Sequence, residues 1–137
     1  NLRAAAEAKG VTVTVSGENA PVTGVRRLLY EIIYNLCDNA IKYNVDGGSV
    51  DVRVSAEGGS ACLTVRDTGI GIPETELDRI FERFYQVDKS YSKKVGGTGL
   101  GLSIVKHGAA RLGAEVRVTS QEGAGSCFTV RFPQQPH

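Results

Sequence analysis

Residues 28 to 43 form the stretch that most narrows the folds open to this chain. Apolar side chains recur there at intervals of three and four residues, which predicts a helix with one core-facing side. Their positions are Leu28, Leu29, Ile32, Ile33, Leu36 and Ala40. The polar residues Glu31, Asn35 and Asn39 step by four and Lys42 follows, so they share a sector about 80° wide. That sector borders the apolar face, which leaves two interpretations open: amides that cap neighbouring loops, or a binding site.

Composition limits the classes of protein to which the chain can belong. A length of 137 residues with 41% apolar and 23% charged residues is that of one globular domain with a real core. The formal net charge of +1 gives no general attraction to nucleic acid or to membranes. Three cysteines without metal-like spacing argue against a disulfide framework and fit a reducing cytosol. The sequence contains neither an apolar run of 18 residues nor a secretory signal.

The remaining periodicities predict a mixture of helices and hairpins. We expect helices over 22–43, 74–83 and 100–112, and strands over 11–15, 50–54, 60–66, 115–119 and 126–132. Glycine-rich turns join the last four strands in two hairpins, which favours an α+β, two-layer sandwich with a mixed, mostly antiparallel sheet of about five strands and three helices on one face. Residues 1–10 are interpreted as the end of a preceding helix or linker, 11–133 as the domain and 134–137 as a tail.

Two glycine-containing segments are candidates for ligand contact. Asp67 ends a predicted strand and is followed by Gly69 and Gly71, which alone indicates only a tight turn. Residues 86–99 are predicted to be a mobile loop that leads directly into the helix over 100–112. A glycine-rich loop before a helix N-terminus is typical of an anion site, because free amides and the helix dipole point outward there. The glycine spacing matches neither the P-loop nor the dinucleotide-binding fingerprint.

Four segments together resemble the motif boxes of sensor histidine kinases. Glu31-x-x-x-Asn35-x-x-x-Asn39-Ala40-x-Lys42-Tyr43 resembles the N box, and Asp67-x-Gly69-x-Gly71 resembles the G1 box. Phe81-x-x-Phe84-Tyr85 resembles the F box, and Gly97-Thr98-Gly99-Leu100-Gly101-Leu102 the G2 box. All four occur in the order of that family, over nearly the whole chain beyond residue 10. The resemblance implies the catalytic ATP-binding domain, with the Bergerat-type fold of the GHKL superfamily.

The resemblance implies ATP and Mg²⁺ as cofactors and assigns roles on the phosphate side. Asn35 would ligate Mg²⁺ through its amide oxygen, and Asn39 would support the phosphates or the waters of the metal. Lys42 would offset phosphate charge, and Tyr43 would pack beside the nucleotide. Residues 86–99 would form a lid, from which Lys93 or Lys94 could reach the γ-phosphate. The phosphate-binding amides would come from the region of Gly99, Leu100, Gly101 and Leu102, and Gly97 and Thr98 would also belong to the cofactor site.

On the base side, Asp67 would accept a hydrogen bond from the adenine amino group. Gly69 and Gly71 would let the backbone approach the base, and Ile72 and Tyr85 would also belong to the cofactor site. Thr129 on the last strand would complete the adenine contact through a water.

Glu31 resembles the acid that activates the attacking group in this superfamily, and we expect it to act as a base or only to polarise an incoming histidine. Gln86 departs from the pattern, since the family often has arginine after the Phe-Tyr pair. The acceptor histidine is also absent: His107 and His137 have no acceptor motif around them. We therefore expect ATP binding without autophosphorylation by this chain, with the acceptor on a dimerisation domain before Asn1 of a membrane-anchored sensor.

The expected partners are that dimerisation domain and a response regulator; nucleic acid and membrane are not expected partners, and the isolated domain is expected to be a monomer. Two alternatives to a kinase domain stay open at this point. One is an ATPase of the topoisomerase or chaperone type, and the other is a module that binds nucleotide only to regulate a partner.

Overall fold

The computed structural model describes residues 2–17, 26–87, 89–90, 93 and 97–134. The structure gives the bounds of three α-helices and five strands within this part of the chain. The helices are α1 (Leu2–Lys9), α2 (Arg26–Lys42) and α3 (Gly101–Arg111). The strands are β1 (Thr12–Gly17), β2 (Ser49–Glu57), β3 (Ser60–Asp67), β4 (Glu115–Gln121) and β5 (Gly125–Arg131). Among the described residues, no helix has both the length and the hydropathy of a membrane span.

The strands form one mixed sheet in the order β1-β2-β3-β5-β4. Only β1 and β2 run parallel, and the other three pairs are antiparallel. The predicted α+β sandwich with a mostly antiparallel five-stranded sheet is therefore confirmed. The two hairpins, β2-β3 and β4-β5, meet through β3 and β5 at the centre of the sheet.

The core lies between the helices and one face of the sheet. Alternate residues of β2, β3 and β5, including Val50, Val65 and Val130, are fully buried and pack with Ile32 of α2 and Val105 of α3. α2 and α3 approach closely because Gly108 has no side chain. A Cβ atom at Gly108 would lie 3.3 Å from Cγ1 of Ile32.

The opposite face of the sheet is polar. The register places Arg53, Thr64, Thr129 and Arg117 in one row across β2, β3, β5 and β4. This row alternates with the buried valines, so its side chains point away from the helices. The sandwich thus has one covered face and one open face.

The predicted helix over 74–83 is not an α-helix. The structure has a single 3-10 turn at Glu74–Glu76, followed by further turns with hydrogen bonds between residues i and i+3. So short a segment is marginal as a helix without packing support. Tertiary contacts set its path instead, because Ile80 is buried and the ring of Phe81 meets that of Phe128 edge to face at 6.2 Å.

The third helix of the layer is α1. Ala6 is buried in the same core cluster as Cys37 and Ile41 of α2. The ammonium group of Lys9 donates a hydrogen bond to the carbonyl oxygen of Lys42 at 2.6 Å. α1 therefore packs on α2 as part of the domain layer, although the interpretation of residues 1–10 as the end of a longer upstream element stays a prediction.

Candidate nucleotide site

A cleft of about 300 Å³ opens where α2, the turn after β3, residues 85–87 and the start of α3 come together. Fourteen of the residues proposed from the sequence line it. They are Asn35, Asn39, Lys42, Tyr43, Asp67, Gly71, Ile72, Tyr85, Gly97, Thr98, Gly99, Leu100, Gly101 and Leu102. Segments that are far apart in the sequence thus form one site.

The orientation of the Asn35 amide is set by its own helix. Its Nδ2 donates a hydrogen bond to the carbonyl oxygen of Glu31 at 2.7 Å. The oxygen Oδ1 then faces the start of α3, where a Cβ atom at Gly101 would lie only 3.3 Å from it. An amide oxygen held beside a helix N-terminus, with the amide nitrogen already bonded elsewhere, presents the hard oxygen ligand that Mg²⁺ prefers.

Lys42 is paired within α2. Its ammonium nitrogen lies 3.0 Å from Oδ2 of Asp38, one helical turn earlier. Both side chains are mostly buried, and both line the cleft. The sequence reasoning missed Asp38, although its spacing of four from Lys42 is the signal for such a pair. The pair places a carboxylate beside the lysine that was expected to meet phosphate.

Asp67 is buried at the inner end of the cleft, with 8% of its surface exposed. Its Oδ1 accepts hydrogen bonds from the amides of Gly69 at 2.9 Å and Ser126 at 3.2 Å. Burial raises the pKa of this carboxyl group, and the two amide bonds oppose that shift without cancelling it. Because Oδ1 holds both amides, Oδ2 is the oxygen suited to accept a hydrogen bond from a ligand.

The two glycines after Asp67 are needed for contacts within the protein. A Cβ atom at Gly69 would lie 2.3 Å from the carbonyl oxygen of Tyr43. Gly71 has φ +75°, and a Cβ atom there would lie 2.2 Å from the carbonyl oxygen of Gln121. The turn is thus wedged between the end of α2 and the β4-β5 hairpin, and it reaches the cleft through Gly71 and Ile72.

The two ends of the predicted lid are joined at its base. The amide of Phe84 donates to the carbonyl oxygen of Gly99 at 2.7 Å, and Nε2 of Gln86 donates to the carbonyl oxygen of Gly97 at 3.1 Å. Tyr85 lies between these two bonds, and its hydroxyl donates to Glu76, which raises the pKa of Tyr85. Gln86 therefore fixes the base of the loop with a neutral amide, at the position where the resemblance led us to expect arginine.

The start of α3 offers backbone donors to the cleft. Its N-cap residue, Leu100, makes no side-chain capping bond, and the side chain of Ser103 turns back to the carbonyl oxygen of Leu100 at 2.9 Å. The first amides of an α-helix have no partner within the helix and carry partial positive charge. An 11-residue helix that begins at the rim of a cleft is suited to bind phosphate oxygens.

Four of the proposed residues do not line the cleft. Gly69 supports it from behind, as described above. Glu31 lies outside it and forms an exposed ion pair with Arg27 at 3.2 Å. Lys93 is exposed and is not a lining residue, and Lys94 lies outside the described part of the chain.

Thr129 is the fourth proposed residue that does not line the cleft, and its expected contact with adenine is corrected. It alternates with the core residues Phe128 and Val130, so its side chain points to the open face of the sheet. Ser126 lies at the cleft instead, 7% exposed and beside Asp67. The strand period of two could have revealed this, because Ser126 shares the parity of Phe128 and Val130.

The sequence reasoning also missed an apolar part of the lining. Ile70, Ile80, Val87 and Ile104 contribute aliphatic surface to the cleft. Only the three-dimensional packing brings them together, since they come from the turn after β3, the turns of residues 74–83, the base of the lid and α3. The cleft therefore combines a carboxylate end, an aliphatic middle and a helix N-terminus, which is the arrangement expected for a nucleotide.

This fold and cleft define an ATP-binding domain of the GHKL type, and comparison with known proteins gives the family. Residues 24–136 match the family described as "Histidine kinase-, DNA gyrase B-, and HSP90-like ATPase". The chain belongs to this family of ATP-binding domains. It is 42% identical over 135 residues to the sensor-like histidine kinase SenX3 of Mycolicibacterium smegmatis, which covers 98% of this chain and 35% of that protein.

A second curated relative and two solved structures are also similar to this chain. The phosphate regulon sensor protein PhoR of Pseudomonas aeruginosa is 48% identical over 98 residues, which are 72% of this chain and 22% of that protein. Among solved structures, the mycobacterial sensor histidine kinase MprB superposes with a TM-score of 0.83 at 29% identity, over 99% of this chain and 92% of that one. ShkA, solved with AMPPNP, superposes with a TM-score of 0.78 at 32% identity, over 96% of this chain and 29% of that one.

The chain spans about a third or less of the length of these curated relatives. The relatives thus establish the kind of domain, while the activity of a whole protein that contains it is a separate question.

Proposed function

We propose that this chain is the ATP- and Mg²⁺-binding catalytic domain of a two-component sensor histidine kinase. It would transfer the γ-phosphoryl group of ATP to a histidine on a separate dimerisation domain. The observation that carries the proposal is the meeting of Asn35, Asp67 and the start of α3 in one cleft. The similarity to SenX3 and PhoR directs the proposal to a kinase and not to a topoisomerase or chaperone.

The end of the cleft around Asn35 and the start of α3, which we call the phosphate end, suits a triphosphate with a divalent ion. Asn35 would contribute its Oδ1 to Mg²⁺, with Asn39 beside it, and bound Mg²⁺ neutralises phosphate charge and orients the γ-phosphate. Within the described residues no group of three or more histidine, cysteine, aspartate or glutamate side chains could hold a metal. A Mg²⁺ ion bound by one or two protein oxygens, with phosphate oxygens completing its shell, agrees with that.

The amides of residues 99–102 and the dipole of α3 would bind the phosphate chain on its other side. Lys42 would turn from Asp38 toward a phosphate oxygen, since three or four negative charges compete with one carboxylate. The lid base, held by Phe84–Gly99 and Gln86–Gly97, would keep these amides in register with the metal site.

The end of the cleft around Asp67, which we call the base end after the nucleotide base, suits adenine. Asp67 would accept a hydrogen bond from the exocyclic amino group through Oδ2, while its Oδ1 remains bonded to two amides. Ser126 takes the place that Thr129 was expected to fill, and its hydroxyl would contact the base or a water bound to it. Ile72, Ile80 and Ile104 would cover the faces of the ring with apolar surface.

Glu31 would act only when the acceptor histidine arrives. Its carboxylate is exposed beside Arg27, one turn of α2 before Asn35, so it can face a partner docked over the phosphate end. There it would accept or polarise the histidine proton as the nitrogen attacks phosphorus. The partners would be the histidine-bearing domain of the same protein and, later, a response regulator. We place the domain in the cytoplasm, where ATP is available.

Calorimetric titration with ATP in the presence of Mg²⁺ tests the binding step. We expect the chain to bind ATP and the Asp67→Ala and Asn35→Ala variants to lose most of that affinity while their thermal unfolding stays cooperative. The transfer step is tested by adding the histidine-bearing domain in trans with radiolabelled ATP. Steady hydrolysis of ATP by the chain alone, with no phosphohistidine formed, would instead favour an ATPase of the same family.

A further inference from the structure

Ser120 on β4 lies outside the cleft but contacts three groups that shape its base end. Its Oγ accepts a hydrogen bond from the amide of Ile72 at 2.7 Å. The same atom lies 2.7 Å from Oγ of Ser126 and 3.0 Å from the carbonyl oxygen of Gly125. One half-buried hydroxyl thus ties the turn after β3 to the first residues of β5.

The bond from the Ile72 amide depends on a side chain of β4, unlike the neighbouring contacts between turn and hairpin. Those contacts involve backbone atoms: Gly123 donates to the carbonyl oxygen of Ile70 at 2.7 Å, and Gly71 packs on the carbonyl of Gln121. They survive any change of side chain at residue 120. The bond to Ile72, which itself lines the cleft, does not.

The proton count of the two serines adds a chemical consequence. A serine hydroxyl has one proton to donate and two lone pairs. Because Ser120 already accepts from Ile72, its single proton goes to Gly125 or to Ser126. If the Ser120 proton goes to Gly125, Ser126 donates its own proton to Ser120 and presents only lone pairs to the cleft. If the Ser120 proton goes to Ser126, the hydroxyl proton of Ser126 can point at a ligand. The hydrogen-bonding character of Ser126 therefore depends on Ser120.

We infer that Ser120 is a positioning residue of the base subsite, which holds Ile72 in place and sets the hydroxyl of Ser126 beside Asp67. This inference rests on the proposed function, because the subsite is that of adenine. Ser120 touches no ligand itself and acts through its two neighbours. Its role is to make the subsite match adenine, which presents an amino group and a ring-nitrogen acceptor side by side, and not guanine.

The test compares Ser120→Ala, which removes the hydroxyl, with Ser120→Thr, which keeps it. Thr119→Ala on the same strand is the matched control, since Thr119 is exposed on the open face of the sheet. Calorimetry gives the dissociation constants for ATP and GTP with Mg²⁺. For Ser120→Ala we expect a loss of ATP affinity of about tenfold and a smaller ratio of ATP to GTP affinity, because the half-buried amide of Ile72 loses its acceptor. Ser120→Thr and Thr119→Ala should retain both quantities.

A second readout does not need nucleotide. Amide hydrogen exchange of Ile72 should be slow in the wild type and in Ser120→Thr, and clearly faster in Ser120→Ala, while amides in the centre of β3 keep their protection. Should Ser120→Ala not fold, Ser120→Cys supplies the same measurements, because a thiol of similar size is only a weak acceptor.

Unchanged Ile72 exchange together with an unchanged ATP to GTP ratio in Ser120→Ala would overturn the inference. So would an equal loss in Thr119→Ala. A wild-type chain that binds no ATP overturns the proposed function instead, and the exchange experiment still decides whether Ser120 holds the turn.

Discussion

Phe84 and Gly99 meet backbone to backbone at the base of the lid, and both adopt positive φ, +64° and +77°. The amide of Phe84 donates to the carbonyl oxygen of Gly99 at 2.7 Å. For a bulky residue such as Phe84, the left-handed region is uncommon and costs energy. The backbone contact, and not burial of the ring, therefore maintains this conformation of Phe84, as 62% of this residue's surface is exposed.

This contact leads to a first prediction, for Gly99→Ala. A Cβ atom there would lie 2.7 Å from Cα of Phe84, so the two ends of the lid must separate. Because Gly99 lines the cleft beside the start of α3, we expect ATP affinity to fall by about tenfold or more, measured by calorimetry with Mg²⁺.

Gly123→Ala is the matched control for that variant. Gly123 also has positive φ, +83°, but a Cβ atom there meets nothing within 4 Å. The control should show the small loss of melting temperature that backbone strain brings, with ATP affinity intact. If both variants lose the same affinity, strain and not the Phe84 contact is responsible.

Much of the fold could be predicted because its signals are local. The alternating valines of β2 and the three- and four-residue spacing of α2 directly specify which face is buried. The segment 74–83 could not be predicted in this way, since its apolar spacing fits a helix while its path is set by packing of Ile80 and Phe81. The packing of α1 on α2 could not be predicted for a similar reason, because it depends on tertiary contacts of Ala6 and Lys9.

For the site, sequence motifs indicated residue types but not directions. Asn35 and Asp67 lie in the cleft as expected, whereas Thr129 points to the open face and Ser126 lies beside Asp67. Gly69 and Gly71 were expected to let the backbone approach the adenine base. In the structure, glycine is required at position 69 because a Cβ atom there would clash with the carbonyl oxygen of Tyr43. Such contacts join residues far apart in the sequence, and no motif records them.

A second prediction concerns the magnesium site at Asn35. Asn35→Ala removes the Oδ1 that faces Gly101, so the strengthening of ATP binding by Mg²⁺ should disappear. Binding of ATP in EDTA should change much less, because Asp67 and the start of α3 are untouched. Glu31→Ala is the comparison variant, because Glu31 lies outside the cleft. Its affinity for ATP with Mg²⁺ should stay within about twofold of wild type. Its transfer of phosphate to an added histidine domain should be slower. A Mg²⁺ effect that persists in Asn35→Ala would contradict this assignment.

The third prediction concerns the pair Asp38–Lys42. Asp38→Ala removes the carboxylate 3.0 Å from the lysine, so the net charge of the cleft becomes more positive. We expect ATP to bind several-fold more tightly at low ionic strength and the gain to shrink as salt is added, since both groups are partly exposed. Lys42→Ala should weaken binding with the same salt trend. Tighter binding that is independent of salt would point to repacking of α2 instead.

The fourth prediction follows from the buried carboxyl of Asp67, whose pKa is raised by desolvation. A raised pKa means that the folded state holds its proton more tightly than the unfolded state. The contribution of Asp67 to stability is therefore complete below its ordinary pKa of 3.8 and is lost as pH rises through the folded value. At neutral pH the domain thus keeps a desolvated charge that costs stability.

Asp67→Asn removes that charge and keeps an oxygen for the amides of Gly69 and Ser126. The variant should melt at or above the wild-type temperature at pH 7, and this difference should close as pH falls toward 3.8. The affinity for ATP should instead fall by about tenfold or more. The oxygen of the new carboxamide is bonded to two amides, so its NH₂ donor faces the adenine amino group, which is also a donor. In the wild type, affinity for ATP should decline as pH drops through the raised pKa of Asp67. A variant that melts lower at pH 7 but binds ATP normally would show that Asp67 supports the fold and does not read the base.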